Sequence, residues 1–218
     1  NLASNPGVYD FVMTEDAVKA DEIKIAQANE YAASVLLRDN RLVSRYLERG
    51  TNSQFKINLV DLEIPLSDGL EITDFYFDQV LLVLQIRDND SGLQKLQFFN
   101  YFQENYLHLD MIESDSQRDS RLVVEDRLSN LQYYTVVRIG YSAKDQLELQ
   151  VTRLDLVEAL VDHSRVNLTE LKQKCVSHMQ VKQDLIVMMC DEDHTLSIAQ
   201  IKQKSELHLI YKVRIYDA

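Results

Sequence analysis

Tyr133-Tyr134-Thr135-Val136-Val137-Arg138-Ile139-Gly140-Tyr141, then Ser142 to Gln146, then Leu147-Glu148-Leu149-Gln150-Val151-Thr152, is the stretch that decides the fold. Tyr133, Thr135, Val137, Ile139 and Tyr141 fall on every second position, and Leu147, Leu149 and Val151 return with Glu148, Gln150 and Thr152 between them. Successive side chains of a strand point to opposite faces, so this period of 2 dictates two half-buried strands. The polar segment between them closes an antiparallel hairpin.

Toward the C-terminus, the short apolar run Leu185 to Cys190 predicts a buried strand, Asp191 to His194 an acidic turn, and Leu207, Leu209, Tyr211, Val213 and Ile215 a long alternating strand. Toward the N-terminus, Phe55, Ile57 and Leu59 alternate, Pro65 to Gly69 makes a loop, and Ile72 to Arg87 reads as one long strand. Asp88 to Gly92 supplies a hairpin loop from which Leu93 to Phe102 returns. Asp115 to Arg121 is polar and predicts an exposed loop, and Val123 to Leu131 a short helix or an irregular connection.

Two segments carry helical spacing. Thr14 can cap a helix with Glu15 and Asp16 in its first turn. Ile25, Ala28, Ala32, Val35, Leu42 and Tyr46 then recur at intervals of three, four or seven before Arg45, Arg49 and Gly50 close the pattern. This predicts a long helix over Thr14 to Arg49, or two helices broken near Asp39-Asn40. It lies along a sheet or serves as an arm for another chain, and the three alanines Ala28, Ala32 and Ala33 favour the first. Ser164 or Asn167 can cap a second helix through Met179, with Leu168, Leu171, Cys175 and Met179 on one side. The expected fold is therefore α+β and β-dominated. A long N-terminal helical segment over 1–50 packs on an antiparallel β-rich domain over 51–218, whose hairpins form a sheet or sandwich, with a further helix near 167–179.

The 218 residues are 45% hydrophobic and 27% charged, enough apolar surface to build a core without metal or disulfide staples. No run approaches the ~18 to 20 apolar residues of a membrane helix, so no transmembrane segment is expected. A net charge of −12 repels phosphate backbones and disfavours nucleic acid as a partner. Cys175 and Cys190 fit no zinc or CxxC spacing; two buried free thiols are expected, or a disulfide if the chain is exported. Asn89-Asp90-Ser91 and Asn167-Leu168-Thr169 would accept glycans in a secretory protein, but short tripeptides of this kind assign no compartment. Five scattered glycines build no phosphate cradle, and neither GxSxG nor HExxH occurs, which lowers the expectation of an enzyme and implies no cofactor.

Two residue sets remain as candidate sites. If residues 93–112 are extended throughout, Glu104, His108 and Asp110 share a face with Tyr106, and His with carboxylates suits zinc, manganese or iron. The exposed polar face of a half-buried strand gives the same pattern. In a metal-assisted hydrolase, Asp191, Asp193 or His194 would supply the base. The second set is aromatic: Phe75 and Phe77 around Tyr76, and Phe98, Phe99, Tyr101 and Phe102, which a strand must distribute over both faces. Aromatic residues left on an outer face characterise protein contacts. The leading expectation is a non-catalytic protein-interaction or assembly domain that binds a protein partner or itself. A metal-assisted hydrolase and a small-ligand carrier are the alternatives.

Overall fold

The computed structural model describes residues 18–29, 32–49, 55–101, 105–107, 121–126, 132–141, 146–158, 160–168, 175–202 and 207–215. These residues form β-strands and one 3-10 turn, Ala20–Glu22, with no α-helix among them. Sheet A comprises β1 (Ile23–Ala28), β2 (Ala32–Leu37), β3 (Arg41–Arg49) and β4 (Phe55–Glu63). Sheet B comprises β5 (Leu70–Phe77), β6 (Leu81–Asp88), β7 (Gln94–Asn100) and β8 (Asn105–Leu107). Sheet C comprises β9 (Arg121–Asp126), β10 (Tyr133–Tyr141), β11 (Leu147–Asp155) and β12 (Leu160–Asn167). Sheet D comprises β13 (His178–Lys182), β14 (Leu185–Cys190), β15 (Thr195–Ile201) and β16 (Leu207–Arg214). All four are antiparallel and each follows chain order, so every strand pairs with its sequence neighbour. The chain divides into two compact units, Asn1–Leu66 with Phe77–Gln79, and Ser67–Tyr76 with Val80–Ala218.

In the first unit the expected N-terminal helix is replaced, over the described residues, by β1, β2 and β3; residues 1–17 lie outside the description. The register explains the failure. Ile25 pairs with Leu36 and Leu36 with Leu42 on one face, whereas Val35 pairs with Ala26 and Val43 on the other. The supposed stripe is thus split between two faces of a sheet, and its spacing was drawn from runs apolar enough to fit either period. Asp39-Asn40, the suspected break, is the hairpin turn. Asn40 has φ 64°, its N–H donates to the Leu37 carbonyl at 3.1 Å, and Asp39 Oδ1 accepts the Arg41 N–H at 3.1 Å. Ser34 and Ser44, opposite one another and buried, bond through their hydroxyls at 2.7 Å.

This turn yields a discriminating prediction. Glycine visits the left-handed region freely, while a β-branched residue there costs ~1 to 2 kcal/mol. Asn40→Gly should leave the urea midpoint nearly unchanged and Asn40→Val should lower it. A helix would give the reverse order, since Gly is the poorer helix former.

In the second unit, strands with two buried faces account for the remaining departures. The long strand expected over Ile72 to Arg87 is two strands, β5 and β6, separated after Phe77. Asp88 closes the next hairpin: its Oδ1 accepts the Asp90 and Ser91 N–H groups at 2.9 and 3.1 Å, and Gly92, at φ 73°, donates its N–H to the Asp88 carbonyl at 2.8 Å. The Ser91 and Asp90 N–H groups hold the Asp88 carboxyl below the usual carboxylate range. The hairpin of β10 and β11 pairs in unbroken register from Tyr133 opposite Asp155 to Tyr141 opposite Leu147.

The second expected helix, near 167–179, is also replaced by strand at both ends; residues 169–174 lie outside the description. Asn167 ends β12 opposite Glu148, Leu168 is buried with its N–H on the Leu147 carbonyl at 2.8 Å, and Met179 lies in β13 opposite Met188. Cys175 is joined by a disulfide to Cys190, with Cα atoms 5.2 Å apart, so neither is the free thiol expected. The bond ties the segment entering β13 to the end of β14.

Alternate residues of each sheet fill the layers between sheets. Tyr76, Val83, Leu96 and Phe98 of sheet B meet Tyr134, Val136 and Leu154 of sheet C. Val137, Leu149 and Val151 on the opposite face of sheet C meet Ile186, Met188 and Ala199 of sheet D. Full burial of such side chains contributes ~1.5 to 3 kcal/mol each. Polar ties accompany them. Arg153 Nη2 donates to Asp184 Oδ1 at 3.0 Å, and the Gln183 N–H donates to Glu125 Oε1 at 2.6 Å, fixing the β13–β14 turn against sheet C.

Candidate interaction face

The structure places Phe75, Phe77 and Phe98 in the interior, each at most 1% exposed. Sheet B is buried on both faces, as the adjacent buried residues Leu81 to Leu84 show, so these rings fill core within this chain. Phe99 and Tyr101 are half-buried. Phe102, Glu104, His108 and Asp110 lie outside the described residues. Asp191, Asp193 and His194 occupy the β14–β15 turn and serve it. Asp191 Oδ2 is 3.5 Å from His178 Nε2, Asp193 Oδ1 accepts the Thr195 hydroxyl at 2.5 Å, and His194, at φ 52°, offers its carbonyl to the Ile215 N–H at 2.6 Å.

Three ionisable groups are perturbed by burial. The Asp74 carboxyl is pushed up by desolvation, against the opposing effect of N–H bonds from Phe75 and Leu122. Burial first, and Arg165 next, hold the His163 imidazole below its ordinary pKa, with Nδ1 3.1 Å from the Thr152 hydroxyl. Burial and then Arg165 lower Arg138 to about 10. Its guanidinium donates to Gln94 Oε1 at 2.5 Å and Gln150 Oε1 at 3.4 Å. No group of three His, Cys, Asp or Glu residues able to hold a metal occurs among the described residues.

The exposed chemistry lies on sheet D. On β14, and on β15 as far as Ile198, deeply buried residues alternate with partly exposed apolar ones, whereas the exposed residues of β13 are the polar His178, Gln180 and Lys182. Ile186, Met188 and Cys190 point inward, leaving Leu185, Val187 and Met189 on the outward face of β14. Register sets Leu196 opposite Met189 and Ile198 opposite Val187. Across the next pair, Val213 lies opposite Leu196 and Tyr211 opposite Ile198. Leu185 is 40% and Tyr211 51% exposed. A bulge between Ile198 and Ala199 leaves Ile210 of β16 without an opposite residue and 53% exposed. The result is a continuous apolar surface across three strands, of a kind that in folded proteins marks a contact site.

Sheet A carries a surface of a different kind. Val18, Ile23, Ala26, Ala28, Ala33 and Val35, with Gln27 and Ser34, line a shallow depression of about 380 Å³ along β1 and β2. Ala28 faces Ala33 and Ala26 faces Val35, so the floor is built mostly from methyl groups.

No protein-family model matches the chain, and no curated protein does. Among solved structures it is similar to the WD40 domain of coronin from Toxoplasma gondii, at 11% identity and a TM-score of 0.50, over 88% of this chain and 46% of that one. It is also similar to a Bacteroides fragilis protein assigned as a 6-phosphogluconolactonase, at 8% identity and a TM-score of 0.45, over 87% of this chain and 69% of that one. The chain thus spans about half the length of the coronin chain it matches. At such identity the likeness to the WD40 domain concerns fold alone. It agrees with the consecutive four-stranded antiparallel sheets, the unit from which propellers are built.

Proposed function

We propose that the chain is a non-catalytic protein-interaction or assembly domain whose contact surface is the outward face of sheet D. The observation that carries this reading is the apolar row Leu185, Val187 and Met189, continued through Ile198 to Tyr211. Burial of such a face releases ~25 cal/mol per Å² of apolar area, while a flat sheet offers no enclosed site for chemistry.

Leu185→Lys combined with Tyr211→Lys alters two side chains already at least 40% exposed, so the fold should tolerate it. Expressed with a tag in the native cells, the wild-type chain should retain a protein in stoichiometric amount, and the double variant should retain at least tenfold less at unchanged melting temperature. Equal retention by both would contradict the proposed surface.

A further inference from the structure

We infer that this chain matures in an oxidising compartment and carries an N-linked glycan on Asn89, at the tip of the β6–β7 hairpin. Asn89-Asp90-Ser91 has the spacing that N-glycosylation requires: an asparagine amide, a hydroxyl two residues on, and no proline between. The tripeptide alone assigns no compartment, and the cysteines supply what it lacks. The chain has two cysteines, and both are taken up in the bond between Cys175 and Cys190. Their Cα atoms lie 5.2 Å apart, a distance a disulfide spans without moving the backbone, and Cys190 is fully buried. Structural disulfides persist where thiols are oxidised and are rare where glutathione keeps them reduced. In an oxidising secretory compartment an exposed Asn89-Asp90-Ser91 is a glycan acceptor.

In the first step, the Cys175 and Cys190 thiols pass two protons and two electrons to the disulfide of a thiol oxidoreductase, which leaves as a dithiol. In the second, Asn89 Nδ2 attacks the anomeric carbon of an oligosaccharide carried on a lipid pyrophosphate. The N–C bond forms, the C–O bond to the pyrophosphate breaks, Nδ2 gives up one proton, and the lipid pyrophosphate departs.

The fold accepts a glycan at this position. Asn89, Asp90 and Ser91 are all exposed. The loop is held through its backbone, with the Asn89 N–H on the Gly69 carbonyl at 2.8 Å and the Asp90 and Ser91 N–H groups on Asp88, so a sugar on the Asn89 side chain disturbs no strand. Sheet B packs on one face of sheet C and sheet D on the other, so this glycan leaves the outward face of sheet D open. The second tripeptide is placed differently. Asn167 Nδ2 donates to Gln146 Oε1 at 2.9 Å from the last register pair of β12, opposite Glu148, and the next residue, Leu168, is fully buried. A bulky sugar there crowds that bond and the end of the strand.

The chain purified from its native source without reductant provides the test. An amidase that removes N-linked glycans in heavy-oxygen water turns a glycosylated asparagine into a labelled aspartate, which peptide mass spectrometry locates. The label is expected at Asn89, lost in Asn89→Gln and Ser91→Ala expressed in the native cells, and kept in Ser91→Thr, which retains the hydroxyl. Because Ser91 Oγ accepts the Leu93 N–H at 3.3 Å, Ser91→Ala touches the loop itself, and Asn89→Gln decides if that variant folds poorly. The denatured chain should take up a thiol-alkylating reagent only after a reductant is added. An unlabelled Asn89, a label at Asn167 in place of Asn89, or two alkylatable thiols before reduction would overturn the inference.

Discussion

Arg138→Ala should lower the unfolding free energy by about 3 to 5 kcal/mol, the range seen when one member of a buried charged or hydrogen-bonded set is removed. Arg138 projects from β10 and is 1% exposed; its donations to Gln94 of β7 and Gln150 of β11 link sheet B to sheet C. Truncation strips those two buried amide oxygens of this donor and opens a void between sheets B and C. With its pKa lowered only to about 10, the guanidinium still carries its charge at neutral pH, so the loss is that of a charge-assisted bond. Arg138→Met, which keeps most of the volume, should cost less. Urea unfolding with linear extrapolation gives the values. A loss under ~1 kcal/mol for the alanine variant would show that the arginine does not tie the sheets.

Reducing the Cys175–Cys190 bond should remove about 3 kcal/mol, the loop-closure contribution expected for the 15-residue separation. For a chain of this size that corresponds to a fall in melting temperature of roughly 6 to 12 °C. Calorimetry with and without a phosphine reductant measures it, and Cys175→Ala with Cys190→Ala should match the reduced protein. Cys190 is fully buried on the inward face of β14. The bond therefore stiffens the strand that carries Leu185, Val187 and Met189 outward. An unchanged melting temperature after verified reduction would mean that pairing alone holds the β13–β14 hairpin.

What was legible in the sequence follows from where one period dominates. Tyr133 to Thr152 alternates without interruption, and only one register satisfies it. Ala32 to Leu37 is nearly all apolar, so a helical and an extended reading fit equally well. The deciding signal was Asp39-Asn40, two residues suited to a tight turn with a left-handed second position. The second helix failed for a similar reason: Leu168, Cys175 and Met179 fit helical spacing but come from a strand end, a disulfide and a strand.

The candidate face was legible only in part. Leu185 to Cys190, apolar at every position, announces two apolar faces, and Leu207 to Ile215 places Tyr211 among alternating residues. Which of two apolar faces lies inward depends on the neighbouring sheet, and that is a tertiary fact. Of the aromatic clusters, Phe75, Phe77 and Phe98 fill the core of sheet B, whose strand β6 is buried on both faces, while Phe99 and Tyr101 stay half-buried. The alanines of sheet A, first read as close approach of a helix to a sheet, mark a depression on a sheet instead.

Hydroxyl-radical footprinting of the chain, free and in the complex purified from its native source, tests the central claim most directly. Tyr211 at 51% exposure and the half-buried Met189 are reactive reporters on the outward face of sheet D, while Val157, 64% exposed in the turn after β11, serves as a control. The account predicts that labelling of Tyr211 and Met189 falls severalfold in the complex while Val157 is unchanged. Equal labelling of Tyr211 and Met189 in the free and bound chain would contradict it.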